Sequence, residues 1–153
     1  MKPQKTDQTI VVNKKIFFEY HVEEVFIAGL ALEGWEVKSL REGKINITDS
    51  HVIIKRGEAF LLGSQIQPLA TAAKISMPDP VRTRKLLLTR REINRLIGAV
   101  ERSGYTIIPI SLFWQKNHIK IKIALAKGKK QHDKRESVKD RDWQRQQARI
   151  LKR

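Results

Sequence analysis

The chain has 153 residues, enough for one domain with a real core plus a tail, and 31 Lys and Arg against 16 Asp and Glu give a formal charge of +15. That balance points to a polyanionic partner, nucleic acid first, and no apolar run is long enough to cross a membrane. With no cysteine, disulfides and thiolate metal sites are excluded; "MKPQKTDQTI" shows no apolar segment, so no secretory signal is expected and a cytoplasmic home is.

The elements follow in chain order. "VEEVFIAGL" is compatible with a short helix through Val22, Val25 and Phe26, weakened by Gly29. The stretch from Trp35 to Leu40 reads as a strand entering a helical turn near "LREGK". A hairpin is expected in "SHVIIKRGEAFLLGSQI", turning at Arg56-Gly57. From Gln67 to Lys85 the chain reads as irregular, with three prolines and a basic exit. The clearest helix spans 90–103. Thr89 caps it, Glu92 closes a capping box, and Leu88 is placed to staple against Ile93. Ile93, Leu96, Ile97 and Val100 form its apolar stripe, Gly104 stops it, and Arg90, Arg91, Arg95 and Arg102 are left outside. A second hairpin pairs "YTIIPISLFW" with "NHIKIKIALAK" across "QKN". Ile108, Ile110, Leu112 and Trp114 are expected to share one face, Ile119, Ile121, Ile123 and Leu125 another, and Pro109 an edge or bulge. Many short strands with one good helix suggest a small antiparallel barrel.

The charge is uneven. Residues 1–70 carry nine basic and nine acidic groups, 71–125 eleven against three, and 126–153 eleven against four. The cationic surface therefore belongs to the second half of the body and to the tail. Lys120 and Lys122, two apart on a strand, project from one face, either to meet RNA or to deter edge aggregation. Arg82, Arg84 and Lys85 crowd one segment; placed near the arginine helix they would suit bidentate phosphate contacts. Trp35 and Trp114 read as core residues, whereas Trp143 has no core nearby. The four histidines lack ligand-like spacing, and no metal, cofactor or catalytic motif is found. A nuclease would need Asp49, Glu58 and Glu19 to meet in space.

Several blocks carry a resemblance: "GWEVKSLREGK" at 34–44, "DS" at 49–50, "RTRKLLL" at 82–88, "AKGKKQHDKR" at 126–135 and "RDW" at 141–143. In this order and spacing they resemble the small protein B family, partners of tmRNA in bacterial trans-translation. The resemblance implies a closed antiparallel barrel of the oligonucleotide-binding type with peripheral helices. It divides the chain into a flexible N-terminus (1–12), an RNA-binding barrel (13–127) and a basic tail (128–153). It implies a body that holds the tRNA-like part of tmRNA through Lys38, Ser39, Arg41, Leu87 and Lys120. The tail, disordered when free, would enter the vacant mRNA channel of a stalled ribosome and fold there as a helix. Gly128, Lys129, Lys130, His132, Asp133, Lys134 and Arg135 would serve the decoding-centre region, with Trp143 giving the helix one large contact. Elongation factor Tu would deliver the alanyl-tmRNA with a monomer bound. Family members are expected to carry a glutamate where this chain has Ile27, so no contact is assigned there. A general RNA-binding or ribosome-associated protein is the alternative.

The tail's composition fits such a role. Its 26 residues hold ten Lys or Arg and one aromatic, too little apolar surface to offset ordering entropy alone. Ser137 and Asp140 approximate a helix start, after which Trp143, Ile150 and Leu151 fall on roughly one side.

Overall fold

The structure is a computed structural model and describes residues 8–70 and 77–129. In chain order it contains β1 (Gln8–Val12), α1 (Ile16–Glu19), β2 (Tyr20–Leu30), α2 (Gly34–Arg41), β3 (Ile45–Asn46) and β4 (His51–Lys55). There follow β5 (Glu58–Leu62), β6 (Gln65–Ile66), β7 (Arg84–Leu87), α3 (Arg90–Ser103), β8 (Thr106–Gln115) and β9 (His118–Gly128). The protein is mainly β. Seven strands form one antiparallel sheet in the order β1-β8-β4-β5-β7-β2-β9, and β8 also pairs with β9; β3 and β6 make a small second sheet.

Turn chemistry sets both hairpins. Arg56 and Gly57 between β4 and β5 have φ of 55° and 74°, and Lys116 and Asn117 between β8 and β9 have 45° and 66°. Positive φ at both central residues gives the turn twist that right-handed strands accept. Helix α3 matches its sequence signals: the Thr89 hydroxyl accepts from the Glu92 N–H at 3.2 Å, and the Glu92 carboxylate accepts from the Thr89 N–H at 3.0 Å. Ile93 and Leu96 are buried, Ile97 is half-buried, and Val100 lies exposed at the thin end of the stripe.

Four expectations are corrected. Val22–Leu30 is not a helix but most of β2, paired with β9 at seven positions and with β7 at its end. Phe26 and Ala28 point inward while Val25 and Ile27 face out, a period of two in which β-branched residues fit well. Trp35–Leu40 is not a strand but α2, because the Glu33 backbone N–H donates to the Glu36 carboxylate at 2.7 Å and closes a capping box. Gln8–Val12, placed in a flexible N-terminus, pairs with β8 as β1. Finally, β8 does not keep one face. A bulge between Pro109 and Ser111, where the missing proline N–H is accommodated, turns the strand over. Leu112 therefore joins the main core with Ile107, while Ile108 and Ile110 join a second cluster.

The main core lies inside the sheet, built from Phe26, Leu61, Leu86, Leu96, Leu112, Ile121, Ile123 and Leu125 among others. The second cluster, Ile16, Ile108, Ile110, Ala124 and Ala126, lies under α1 on the opposite face of β8 and β9. Residues 71–76, part of the segment read as irregular, lie outside the described residues, and that segment ends as β7.

Candidate nucleic-acid interface

Strand register brings together side chains far apart in sequence. Leu87 of β7 pairs with Gly29 of β2, which pairs with Lys120 of β9; one step along, Ile27 pairs with Lys122. On β8, Phe113 and Ser111 lie opposite Lys120 and Lys122. Leu87 is 53% exposed and Ile27 48%, so the row is apolar at one end and cationic at the other. A Cβ at Gly29 would lie 3.3 Å from the Leu87 Cβ and Cδ1, so the glycine is what lets Leu87 lie over β2. Lys120 and Lys122 are half-buried, and neither has an acidic partner among the described residues. Long stems on an apolar face with free heads suit a nucleic-acid backbone. A helix reading of this stretch hides Val25 and Gly29, and Ile27 carries no assigned contact because many family members are expected to have a glutamate there; the alternation of Phe26 and Ala28 with Val25 and Ile27 is the signal that places all three on one face.

The basic cluster at 82–85 serves a different purpose. Glu36 of α2 is fully buried, and it accepts from the Arg82 Nη2 at 2.5 Å and the Arg84 Nε at 2.5 Å. Arg84, 1% exposed, also donates to the Ser64 carbonyl and hydroxyl, the Arg82 carbonyl and the Pro80 carbonyl, at 2.9–3.2 Å. Arg82 further reaches the Ala31 carbonyl at 3.2 Å and lies 3.5 Å from Glu33. Burial pushes the Glu36 carboxyl up, but the Arg82, Glu33 backbone and Arg84 hydrogen bonds outweigh it and hold it below its ordinary value. The hydrogen bond to Glu36 likewise raises Arg82 against the opposing effect of its own burial. Arg84 is thus corrected from a phosphate contact to the fastening that joins α2 to β7, and Arg82 is largely taken up with it. Lys85 pairs with Glu58 at 3.0 Å.

This fastening fixes which face α2 presents. Lys38 and Arg41 are exposed, whereas Ser39 is fully buried and its hydroxyl has no hydrogen-bond partner among the described residues. Direct RNA contact by Ser39 is therefore corrected: its side chain faces the core beside Leu40. The arginines of α3 are partly engaged too, Arg90 with the Gly57 carbonyl at 3.1 Å and Arg95 with Glu24 at 3.0 Å. Arg95 and Arg102 line an open cleft of about 660 Å³ against β2, where Tyr105 donates to Glu23 and the Lys127 ammonium sits 4.6 Å from the Tyr105 ring centre. The Glu23 hydrogen bond, helped by burial, holds the Tyr105 hydroxyl above its ordinary value. Opposite charges meet on that side, whereas Lys120 and Lys122 have no acidic partner among the described residues.

Other expected site residues are placed as follows. Gly128 is exposed at the end of β9, and Lys129 donates its N–H to the Glu19 carbonyl at 2.8 Å and its ammonium to the Phe17 carbonyl at 2.9 Å. Lys130, His132, Asp133, Lys134, Arg135 and Trp143 lie outside the described residues. Trp35 and Trp114 are half-buried against the core, and the Trp35 indole donates to Glu33 at 2.6 Å. Glu58 is held by Lys85, and no group of three His, Asp or Glu able to hold a metal exists among the described residues. Among the same residues no helix is long and apolar enough to cross a membrane.

An antiparallel sheet that displays apolar and cationic side chains in one row has the build of an RNA-binding protein. The profile of the SmpB protein family matches residues 10–153, and the chain belongs to that family. An SsrA-binding protein of Alkalilimnicola ehrlichii is 53% identical over 152 residues, 99% of this chain and 95% of its own. One from Coxiella burnetii is 54% identical over 145 residues, covering 95% and 91%. A solved structure described as "tmRNA-SmpB: a journey to the center of the bacterial ribosome" is similar at a TM-score of 0.65 and 36% identity, over 84% of this chain and 93% of that one.

Proposed function

We propose that this protein binds the tRNA-like part of tmRNA through the outer face of β2, β7 and β9 and accompanies it to stalled ribosomes for trans-translation. The observation that carries this is the row Leu87, Gly29, Lys120, with Ile27 and Lys122 beside it, in a chain whose relatives are SsrA-binding proteins. Lys38 and Arg41, exposed on the α2 surface that the buried triad fixes, add further cations to the RNA-binding reading. Ile27 takes apolar contact where relatives would place a carboxylate. The body is read as a closed barrel, supported by the β8–β9 pairing that returns the sheet to β8.

The tail from Gly128 is the ribosome probe, on the support of its ten cations and single tryptophan. An unfolded cationic chain can search an RNA-lined channel and order only where that channel is empty. The protein acts as a binding factor in the cytoplasm, a monomer with no catalytic chemistry, delivered with alanyl-tmRNA by elongation factor Tu.

The test is equilibrium binding to tmRNA against bulk tRNA over a salt series. Wild type should prefer tmRNA, and Lys120→Glu with Arg41→Glu should weaken binding and flatten the salt slope by about one unit per lost phosphate contact. Unchanged binding of that variant at every salt concentration would show the RNA face to be elsewhere. Equal affinity for tRNA would favour a general RNA-binding protein.

A further inference from the structure

Phe17 is the only exposed Phe, Tyr or Trp among the described residues, at 58% exposure. A phenylalanine held in water forgoes the burial that usually places it. Its carrier α1 is only four residues long and would not form alone. The body holds it in place from several directions. Ile16 is 1% exposed within the second core cluster. Asn13, just before α1, donates its N–H to the Ile110 carbonyl at 2.7 Å and its side-chain amide to the Ile47 and Thr48 carbonyls at 3.4 Å. The Lys15 N–H returns to the Asn13 side chain at 3.3 Å. Lys129 then ties the far side, through its N–H to Glu19 and its ammonium to the Phe17 carbonyl.

The surroundings are cationic. Lys14 and Lys15, in the turn leading into α1, are exposed and have no acidic partner among the described residues. Glu19 and Asp49 are the nearby acids, and both line a cavity of about 320 Å³ with Asn13, Lys15 and Tyr20. Phe17 does not line that cavity, and Glu19, two residues on, is turned about 200° away around the helix. A rigid exposed ring beside unpaired lysines has the make-up of a stacking platform for a nucleic-acid base.

We propose that Phe17 stacks an unpaired RNA base whose flanking phosphates meet Lys14 and Lys15, at the point where the tail leaves the body. This rests on the RNA-binding function proposed above. The base belongs either to tmRNA or to ribosomal RNA, and separate binding measurements tell them apart. Full-length wild type, Phe17→Leu and Phe17→Tyr are titrated with tmRNA and, independently, with ribosomes free of mRNA, with Lys120→Glu as a reference. Phe17→Leu should lose about tenfold in affinity in the arm that supplies the base, Phe17→Tyr should restore it, and melting temperature should not move. Phe17→Leu binding both partners as wild type does, while Lys120→Glu still weakens tmRNA, would overturn the platform alone. So would equal losses in the Leu and Tyr variants, since a tyrosine ring stacks and a leucine does not. Wild type binding neither partner would overturn the RNA-binding function and the platform with it.

Discussion

Glu36→Gln tests whether the buried triad is what holds α2 in place. The carboxylate accepts three strong hydrogen bonds at 2.5–2.7 Å, from Arg82, Arg84 and the Glu33 backbone. An amide of the same shape removes the charge and turns one acceptor into a donor facing an arginine N–H. Removing one partner of a buried ion pair costs about 3–5 kcal/mol, because the remaining charge is left uncompensated. Arg84 keeps four other acceptors on Nη1 and Nη2, which places the expected loss near the lower end, about 3 kcal/mol. For a domain of this size that is a fall in melting temperature of about 10–15 °C. The assay is urea unfolding followed by tryptophan fluorescence from Trp35 and Trp114, where the midpoint should fall with an unchanged slope. The difference from wild type depends on pH. Glu36 titrates below its ordinary 4.5 in the folded protein, so its contribution is complete above that value and is lost as pH falls through the depressed one. The gap between the two proteins should therefore be full at pH 7 and close only in acid below 4.5. A midpoint at pH 7 within about 0.5 kcal/mol of wild type would refute the reasoning and show that the carbonyl acceptors alone hold Arg84.

The remaining predictions concern a turn and the tail. Gly63 has φ of +81°, and a Cβ there would lie 3.0 Å from the Asp49 carbonyl oxygen, so Gly63→Ala should destabilise by about 2 kcal/mol in the same unfolding assay; a neutral result would mean that the Asp49–Ser50 turn yields freely. Deleting residues 131–153 should leave tmRNA affinity and melting temperature unchanged while abolishing peptide tagging of stalled chains, and a large drop in melting temperature would mean that the tail packs on the body. Gln146→Pro should stop tagging and spare tmRNA binding, whereas Asp140→Pro at a first turn should be tolerated. Wild-type tagging by Gln146→Pro would show that the tail works by charge without a helix.

What could be read from sequence was local. The capping box of α3, the two hairpin turns and the alternation of β9 are signals spread over a few residues, and each becomes structure with little help from elsewhere. The ordered blocks from Gly34 to Trp143 likewise gave the family before any coordinates were needed. The charge asymmetry between the first 70 residues and the rest was visible in composition alone.

The tertiary structure decided where opposite charges and distant strands meet. Arg82 and Arg84 look like a phosphate clamp in sequence, and only the fold shows Glu36, 46 and 48 residues away, claiming both. The same contact gives α2 its orientation, exposing Lys38 and Arg41 and burying Ser39 between them. Gly29 weakened a supposed helix in the sequence; in the sheet it lets Leu87 lie across β2 beside Lys120. The bulge at Pro109 reversed a strand face whose alternation had looked simple. A residue's type fixes what it can bond to, but whether a cation reaches solvent or a carboxylate depends on packing partners set by the whole fold.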